Sequence, residues 1–357
     1  MGTFPSGFIT PMPTTPPRHA TILEVARIAG VSKTSVSRYF GGERERLSGA
    51  LQERIAAAAR HLGYRPNQMA RGLKGGHSRL IGMLVADIRN PFSVAVMHGV
   101  EQACRARGFS LMVCNTDNDP SQERDHLALL AAYRVEGLVV NAAGSPDREL
   151  QALVDQGTPL VLLDRELGEV EAEVVGLDNA RAIDMALDHL GSQGYGELLY
   201  ISQPPEQVSS RRRRLERFRQ GLAGRGLAGE ALCLEPEACN GALSEGIATF
   251  LARPGRTPRA LLCANGNVTL AVTRALQGLG IRLGETGLLG IDELDWCELV
   301  GPGISTLAQP TAMIGQAAVD RLLHRPDEAG EMPPRHLHFQ ASLIPRGSTR
   351  LPSQERS

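Results

Sequence analysis

The stretch that decides the fold of this chain is TILEVARIAGVSKTSVSRYF, residues 21–40. Thr21 is a good N-cap for a first short helix, and Gly30 permits the positive φ of a tight turn. Val36 and Tyr39 lie one helical turn apart in a second pattern, where they can pack back onto the first helix. Two short helices joined by a glycine turn predict a helix-turn-helix.

The second of these helices is rich in hydroxyls and positive charges on its outer surface. The residues left there are Ser32, Lys33, Thr34, Ser35, Ser37 and Arg38. Short hydroxyls approach phosphates and base edges without steric bulk, and both Lys33 and Arg38 can donate to guanine. The alternative is a solvated, serine-rich surface helix, which the pattern of residues 21–40 as a whole disfavours.

Charge is divided unevenly along the chain. Residues 18–77 contain eleven Lys or Arg against four Asp or Glu, a net charge of +7. The remainder contains 27 against 35, a net charge of −8. A small basic head on a larger acidic body indicates that the head binds a polyanion.

A third helix is expected after the turn at 41–47, with Ser48 as its cap. Its core positions recur at helical spacing and are Leu51, Ile55, Ala58 and Leu62. Pro66 then breaks the chain. The glycine-containing segment 67–74 is too unstable to form a helix alone, so it would fold only against a partner.

From residue 78 onward apolar runs alternate with helical patterns, as in parallel sheets covered on both faces. The predicted strands are LIGMLVAD, SLMVCNT, GLVVNAA, PLVLLD, EVVGL, ELLYIS, ALLCAN and TGLLGID. Ligands bind beyond the carboxyl ends of such strands. The ligand candidates are therefore 87–92, Asp164, Arg165, Asn265 and Asp292.

These stretches resemble the lactose/galactose repressor (LacI/GalR) family. The resemblance is carried by residues 21–40, by LGYRPNQMARGLKGGHSRLIGMLVADIRNPF, by VVGLDN and by the ending LIPRGST. It implies a homodimer on a near-palindromic DNA operator, with Lys33, Thr34 and Arg38 in the major groove. Phosphates would be held by Thr21, Ser32, Ser37 and Asn67. Residues 67–74, including Arg71, would form a hinge helix whose Leu73 wedges into the minor groove.

For the body, the resemblance implies a two-lobed α/β domain of the periplasmic-binding-protein type with an effector in the cleft. The implied contacts are Asn90, Phe92, Asp164, Arg214, Asn265 and Asp292. Two further candidates come from the residues themselves: Arg165, which follows a predicted strand, and Trp296, the single tryptophan, four residues after Asp292. Four of these candidates have an alternative role. Asp164 and Asp292 could instead cap the turns that follow them, and Arg214 lies in a run of four arginines, which is typical of a solvated face. Trp296 could either pack in the core or stack on a sugar ring. The family often has Asn-Asp where this chain has Asn265-Gly266, and a glycine where it has Arg217.

The effector is expected to be a sugar acid, because the body most resembles the branch that regulates use of 2-ketogluconate and 2-keto-3-deoxygluconate. Arg89, Arg165 and Arg214 are available to bind a carboxylate. A neutral hexose or a purine stays open as an alternative. Release from the operator on effector binding is the expected response, since catabolic repressors of this kind usually respond so.

The rival classes are a stand-alone sugar-binding protein and an enzyme. GRGLAG at 224–229 matches GxGxxG but follows a helical pattern rather than a strand, and there is no GxSxG and no nucleophile–base pair. His336 and His338 lack a third metal ligand. The sequence therefore predicts no catalytic residue, no metal site and no cofactor.

The remaining expectations concern location and domain limits. No apolar run approaches the roughly 18 residues of a membrane span, and residues 1–20 lack the pattern of a secretory signal. Six cysteines without CxxC spacing favour reduced thiols in the cytoplasm. The expected parts are a disordered arm (1–20), a helix-turn-helix domain (21–66), hinge helix and linker (67–77), effector-binding and dimerisation domain (78–349) and tail (350–357).

Overall fold

The computed structural model describes residues 20–41, 43–65, 77–141, 147–165, 172–206, 208–234, 241–255, 257–324 and 335–351. The chain divides between Ser78 and Arg79 into two compact units. The described part of the smaller one contains three α-helices, which are α1 (Ile22–Ala29), α2 (Lys33–Gly41) and α3 (Gly49–His61).

The three-helix head is built around a small apolar core. Val25, Val36 and Ile55, one from each helix, are fully buried against one another. Gly30 ends α1 with φ of 61°, the left-handed conformation that the sequence predicts for the turn. Ser48 occupies the N-cap position of α3, but its side chain makes no capping hydrogen bond. The helix-turn-helix is confirmed.

The larger unit consists of two lobes, each with a six-stranded, mainly parallel sheet. The first sheet has the order β11-β5-β4-β3-β1-β2. Its strands are β1 (Leu80–Val85), β2 (Ser110–Asn115), β3 (Leu138–Asn141), β4 (Leu160–Leu163), β5 (Glu173–Leu177) and β11 (His336–Phe339). Its helices are α4 (Pro91–Ala106), α5 (Pro120–Ala132), α6 (Asp147–Asp155) and α11 (Thr311–Leu323).

The second sheet repeats this arrangement, with the order β12-β10-β9-β8-β6-β7. Its strands are β6 (Glu197–Ser202), β7 (Ala228–Cys233), β8 (Arg259–Cys263), β9 (Gly287–Ile291), β10 (Ser305–Ala308) and the antiparallel β12 (Ser342–Ile344). Its helices are α7 (Asn179–Ser192), α8 (Ser209–Ala223), α9 (Gly241–Leu251) and α10 (Gly266–Gly278).

The chain passes between the lobes more than once. It leaves the first sheet after β5, returns to the first lobe with α11, and adds β11 to the first sheet and β12 to the second. Because α11 packs with α4 in the core of the first lobe, the late sequence completes the early lobe. The carboxyl ends of the parallel strands in both sheets carry the loops that form the cleft described below.

All eight predicted strands are confirmed, and their ends lie within two residues of the predicted ones. No helix in the part of the chain described is both long enough and apolar enough to cross a membrane.

Candidate nucleic-acid interface and ligand cavity

Helix α2 exposes the polar face that its sequence predicts. Lys33, Thr34 and Arg38 are exposed and Ser37 is half-buried, while Val36 is fully buried in the head core. The Ser32 hydroxyl accepts a hydrogen bond from the Ser35 N–H at 3.1 Å and so caps the helix. The face therefore combines two cations with hydroxyls on a helix held down by one buried valine.

Like Ser32, two more of the predicted DNA contacts have intramolecular partners. Arg38 Nε lies 3.7 Å from Glu43 Oε2, an exposed ion pair of small energy that an incoming phosphate or base can replace. Thr21 Oγ1 accepts from the Glu24 N–H at 3.3 Å, and Glu24 Oε2 accepts from the Thr21 N–H at 2.7 Å. This capping box stabilises the start of α1. Asn67, Arg71 and Leu73 lie outside the described residues.

A cavity of about 420 Å³ lies between the two lobes of the body. Its polar lining residues are Asp87, Asn90, Ser93, Asn118, Asn141, Arg165, Ser202, Gln203, Arg211, Ser244, Asn267 and Arg274. Its apolar lining residues are Ala86, Ile201, Leu234, Leu243, Val268, Ala271 and Ala275. Such a mixture of apolar walls and a few charged groups suits a small polar ligand.

Of the predicted effector residues, Asn90 and Arg165 line this cavity. Asn90 is also the N-cap of α4, since its Oδ1 accepts from the Phe92 N–H at 3.1 Å. Arg165 follows β4, and burial is the main cause that lowers its pKa to about 10, with the Arg211 charge acting in the same direction. Arg165 and Arg211 line the cavity from different lobes, since one follows β4 and the other lies on α8.

Arg214 is not on the cavity lining but lies in a buried polar network. Its side chain is almost fully buried; Nε donates to Asn179 Oδ1 at 2.6 Å and Nη1 to the Ala264 carbonyl at 2.6 Å. Nη2 lies 4.0 Å from Asp164 Oδ2. Arg214 thus joins the end of β8 in the second lobe to the end of β4 in the first.

Asp164 and Asp292 follow β4 and β9 in left-handed conformations, with φ of 57° and 83°. A Cβ at Gly176 would lie 2.9 Å from Asp164 Cα, so the approach of β5 to Asp164 requires glycine there. The Asp292 carboxylate accepts from the Gly266 N–H at 2.9 Å and from Gln309 Nε2 at 2.6 Å. Burial raises the pKa of Asp292, opposed by the Arg214 charge and these hydrogen bonds.

Asn265 connects this network to the cavity. Its Oδ1 caps α10 by accepting from the Val268 N–H at 3.0 Å, and its Nδ2 donates to Oε1 of the cavity residue Gln203 at 2.7 Å. Phe92 and Trp296 do not line the cavity. Phe92 is buried in the core of the first lobe, and Trp296 packs half-buried against the core of the second.

Comparisons with known proteins match both the head and the body of this chain to bacterial regulators of one family. Residues 21–67 match the bacterial regulatory proteins of the lacI family, and residues 187–349 match a periplasmic binding protein-like domain. The chain is 52% identical to the HTH-type transcriptional regulator PtxS of Pseudomonas aeruginosa over 331 residues, 92% of this chain and 95% of PtxS. The chain belongs to the LacI family. It is a DNA-binding transcriptional regulator rather than an enzyme.

Two further similar proteins also match this LacI-family regulator over more than nine tenths of its length. The HTH-type transcriptional regulator KdgR of Bacillus subtilis is 37% identical over 332 residues, covering 92% of this chain and 98% of KdgR. The Lac repressor dimer bound to operator and the anti-inducer ONPF superimposes with a TM-score of 0.78 at 23% identity, covering 93% of this chain and all of that one. That likeness confirms the fold of a helix-turn-helix head joined to a two-lobed body.

Sequence reasoning missed several cavity residues of this LacI-family chain, above all Arg211 and Arg274. Arg211 lies in the run 211–214, where consecutive arginines hide which one faces the ligand. It is one helical turn before Arg214, and that spacing is the signal that two members of the run share a helix face. Arg274 lies on the third turn of α10, beyond the strand-end loops that topology singles out. Arg89, by contrast, is exposed and pairs with Asp87 at 2.9 Å.

Among the described residues, no group of three or more His, Cys, Asp or Glu side chains is placed to hold a metal ion.

Proposed function

We propose that this LacI-family regulator is a homodimeric repressor of genes for the use of a ketogluconate-type sugar acid. Binding of the acid releases it from a near-palindromic operator. One observation carries the proposal: a single chain combines the exposed cationic face of α2 with an interlobe cavity whose described charged residues are three arginines and one aspartate.

DNA recognition rests on α2. Lys33, Thr34 and Arg38 read base edges in the major groove, and a guanidinium can bind guanine O6 and N7 with two hydrogen bonds. Ser32, Ser37, Thr21 and Asn67 hold phosphates and fix the register. Two heads related by two-fold symmetry read two half-sites, and the segments 67–74 pair in the minor groove between them with Arg71 and Leu73.

The effector lies in the cavity. Arginine guanidinium groups favour a carboxylate over a neutral group, and an acid of six carbons supplies hydroxyls for the surrounding amides. Asn90 and Arg165 contact it from the cavity wall. Asp164, Arg214, Asn265 and Asp292 form the polar network behind the wall and take part as the lobes move, while Phe92 and Trp296 shape the cleft through packing.

Release follows from differential affinity. The acid acts on the operator complex only insofar as it binds the DNA-free arrangement of the lobes more tightly than the DNA-bound one. Movement of the first lobes of the two subunits separates the hinge segments and lowers the affinity of the heads for the operator. Since its target is chromosomal DNA, the regulator works in the cytoplasm.

The proposal is tested by selection of genomic fragments at fixed salt, with and without a panel of sugar acids. The full chain should enrich near-palindromic sites, and 2-ketogluconate or a close relative should abolish the enrichment. A chain lacking residues 1–76 should lose DNA binding but keep the ligand-induced rise in melting temperature. Enrichment of no fragment under any condition contradicts the proposal.

A further inference from the structure

The turn after α2 places a carboxylate beside the arginine that is proposed to read DNA. Glu43 Oε2 lies 3.7 Å from Arg38 Nε and accepts a hydrogen bond from Arg46 Nη1 at 3.3 Å. The three side chains are between 46% and 69% exposed, so these ion pairs contribute little to the stability of the head. A negative charge at this place also repels the phosphates of DNA. Neither the stability of the head nor attraction to DNA therefore accounts for this carboxylate.

The surrounding backbone fixes the position of Glu43. Its N–H donates to the Arg38 carbonyl oxygen at 3.2 Å, which ties it to the last turn of α2. From α3, Gln52 Nε2 donates to the carbonyl oxygens of Arg44 and Leu47 at 2.9 and 3.0 Å. Leu47 is itself buried in the head core. The segment that carries Glu43 is therefore held to α2 at one end and to α3 at the other.

We infer that Glu43 is a positioning residue for base recognition, which holds the Nε edge of the Arg38 guanidinium so that the two Nη groups reach guanine. DNA can displace so weak an ion pair, but base contact does not require it. Guanine O6 and N7 need only two N–H groups, and a carboxylate on the Nε edge leaves the Nη1 and Nη2 edge for them. A side chain already oriented also loses less rotamer entropy on binding. The inference rests on the proposed function, in which Arg38 reads a base.

The test measures the base preference of the full chain by fluorescence anisotropy. The probes are the operator that wild type selects, versions of it changed at each base pair in turn, and unrelated DNA. Arg38→Ala identifies the base pair that Arg38 reads. Glu43→Gln should lower the preference for guanine at that base pair about 3- to 10-fold, a part of what one bidentate contact supplies. It should also tighten binding to unrelated DNA, because it removes a charge that repels phosphates.

Glu45→Gln is the matched control, because it removes the same charge from the same turn. Glu45 lies in the short helical turn Arg44–Arg46, is exposed, and has no side-chain partner among the residues that the structure describes. Its substitution should tighten binding to operator and to unrelated DNA alike and leave the base preference unchanged.

A double variant shows whether Glu43 acts through Arg38. Arg38→Ala combined with Glu43→Gln should have the same base preference as Arg38→Ala alone, since a positioning residue has no effect once its target is removed. Circular dichroism and binding to unrelated DNA establish that each variant is folded.

The outcomes separate this inference from the proposed function. If Arg38→Ala relaxes one base pair and Glu43→Gln changes that preference no more than Glu45→Gln does, the positioning role is wrong and base reading by Arg38 stands. If Glu43→Gln alters a base preference in the Arg38→Ala background, Glu43 reads a base itself, as a carboxylate can through cytosine N4, and the positioning role is again wrong. If Arg38→Ala relaxes no base pair, both the positioning role and base reading by Arg38 are wrong.

Discussion

At the scale of the residue, we expect sequence-specific recognition to depend most on Arg38, whose guanidinium can bind guanine with two hydrogen bonds. Arg38→Ala should weaken operator binding by about 1–3 kcal/mol, roughly 5- to 150-fold, and relax the preference at one base pair of each half-site. Arg60→Ala is the control, since Arg60 is an exposed arginine of the same head that belongs to α3 and not to α2. Fluorescence anisotropy with operator and mutated operator measures both effects. Equal losses for the two variants, or an unchanged base preference, would refute the assignment.

A second residue-scale prediction concerns His189, whose Nε2 lies 2.8 Å from Thr349 Oγ1. Burial lowers the pKa of His189 below 6.5, so the unfolded chain takes up the proton first as the pH falls. The contribution of the neutral His189 side chain to the free energy of unfolding is therefore fully present above pH 6.5. It is lost as the pH falls through the lowered pKa of His189 in the folded protein. The difference in unfolding free energy between wild type and His189→Gln should therefore narrow from pH 7.5 to 5.5. A difference that stays constant over this range rules out the linkage.

At the scale of the element, the crossing of α4 and α11 depends on two glycines. A Cβ at Gly315 would lie 2.6 Å from Val100 N and from Val96 O, and a Cβ at Gly99 would lie 2.9 Å from the Ala312 carbonyl oxygen. These neighbours are backbone atoms, so the helices themselves would have to separate. Gly315→Ala should lower the free energy of unfolding by about 1–3 kcal/mol, measured by urea denaturation.

Gly278→Ala is the matched control, because a Cβ at this helical position meets nothing within 4 Å. Alanine should be neutral or stabilising there by up to about 1 kcal/mol, since it restricts the unfolded chain. Equal effects of the two substitutions would show that close helix contact does not limit this crossing.

The sequence predicted eight of the described strands but missed β7, β10, β11 and β12. Three of these four were missed for the same reason. β7, β11 and β12 are edge strands with exposed or half-buried positions, so they lack the continuous apolar runs of central strands. β10 is central, but its Ser305 and Thr306 are buried polar residues. Ser305 forms hydrogen bonds with Ser348 and Thr349 of the short helical turn Gly347–Thr349, a long-range contact that the local sequence pattern does not reveal.

The sequence predicted where the candidate ligand site lies, but it did not predict that Arg211 and Arg274 line the cavity. Strand-end topology placed Asn90 and Arg165 at the cavity, because the carboxyl ends of parallel strands meet there. Strand-end topology could not predict that Arg211, and not Arg214, lines the cavity, since this depends on how α8 is rotated about its axis against α7. The salt bridges of Arg217 and Arg225 to Asp184 hold that rotation. Arg217 therefore has a structural role where the family usually has glycine.

At the scale of the whole molecule, the head and the body are separate compact units. A ligand that binds only the native body stabilises that unit, by about 2.7 kcal/mol at a concentration 100 times its dissociation constant. Differential scanning calorimetry should show that the sugar acid raises the transition of the body and leaves that of the head unchanged. A matching shift of the head transition, in the absence of DNA, would refute independent unfolding.

At the same scale, we infer that the ligand state of the interlobe cavity decides how tightly the α2 face binds DNA. The most direct test of this coupling is titration of 2-ketogluconate into the preformed complex of the full chain with its selected operator, at constant ionic strength, followed by fluorescence anisotropy. We predict a loss of operator affinity of about tenfold or more, within the usual range of coupling between sites, with 2-ketogluconate methyl ester giving little effect. An operator affinity that does not change at saturating acid would show that the cavity and the α2 face are not coupled.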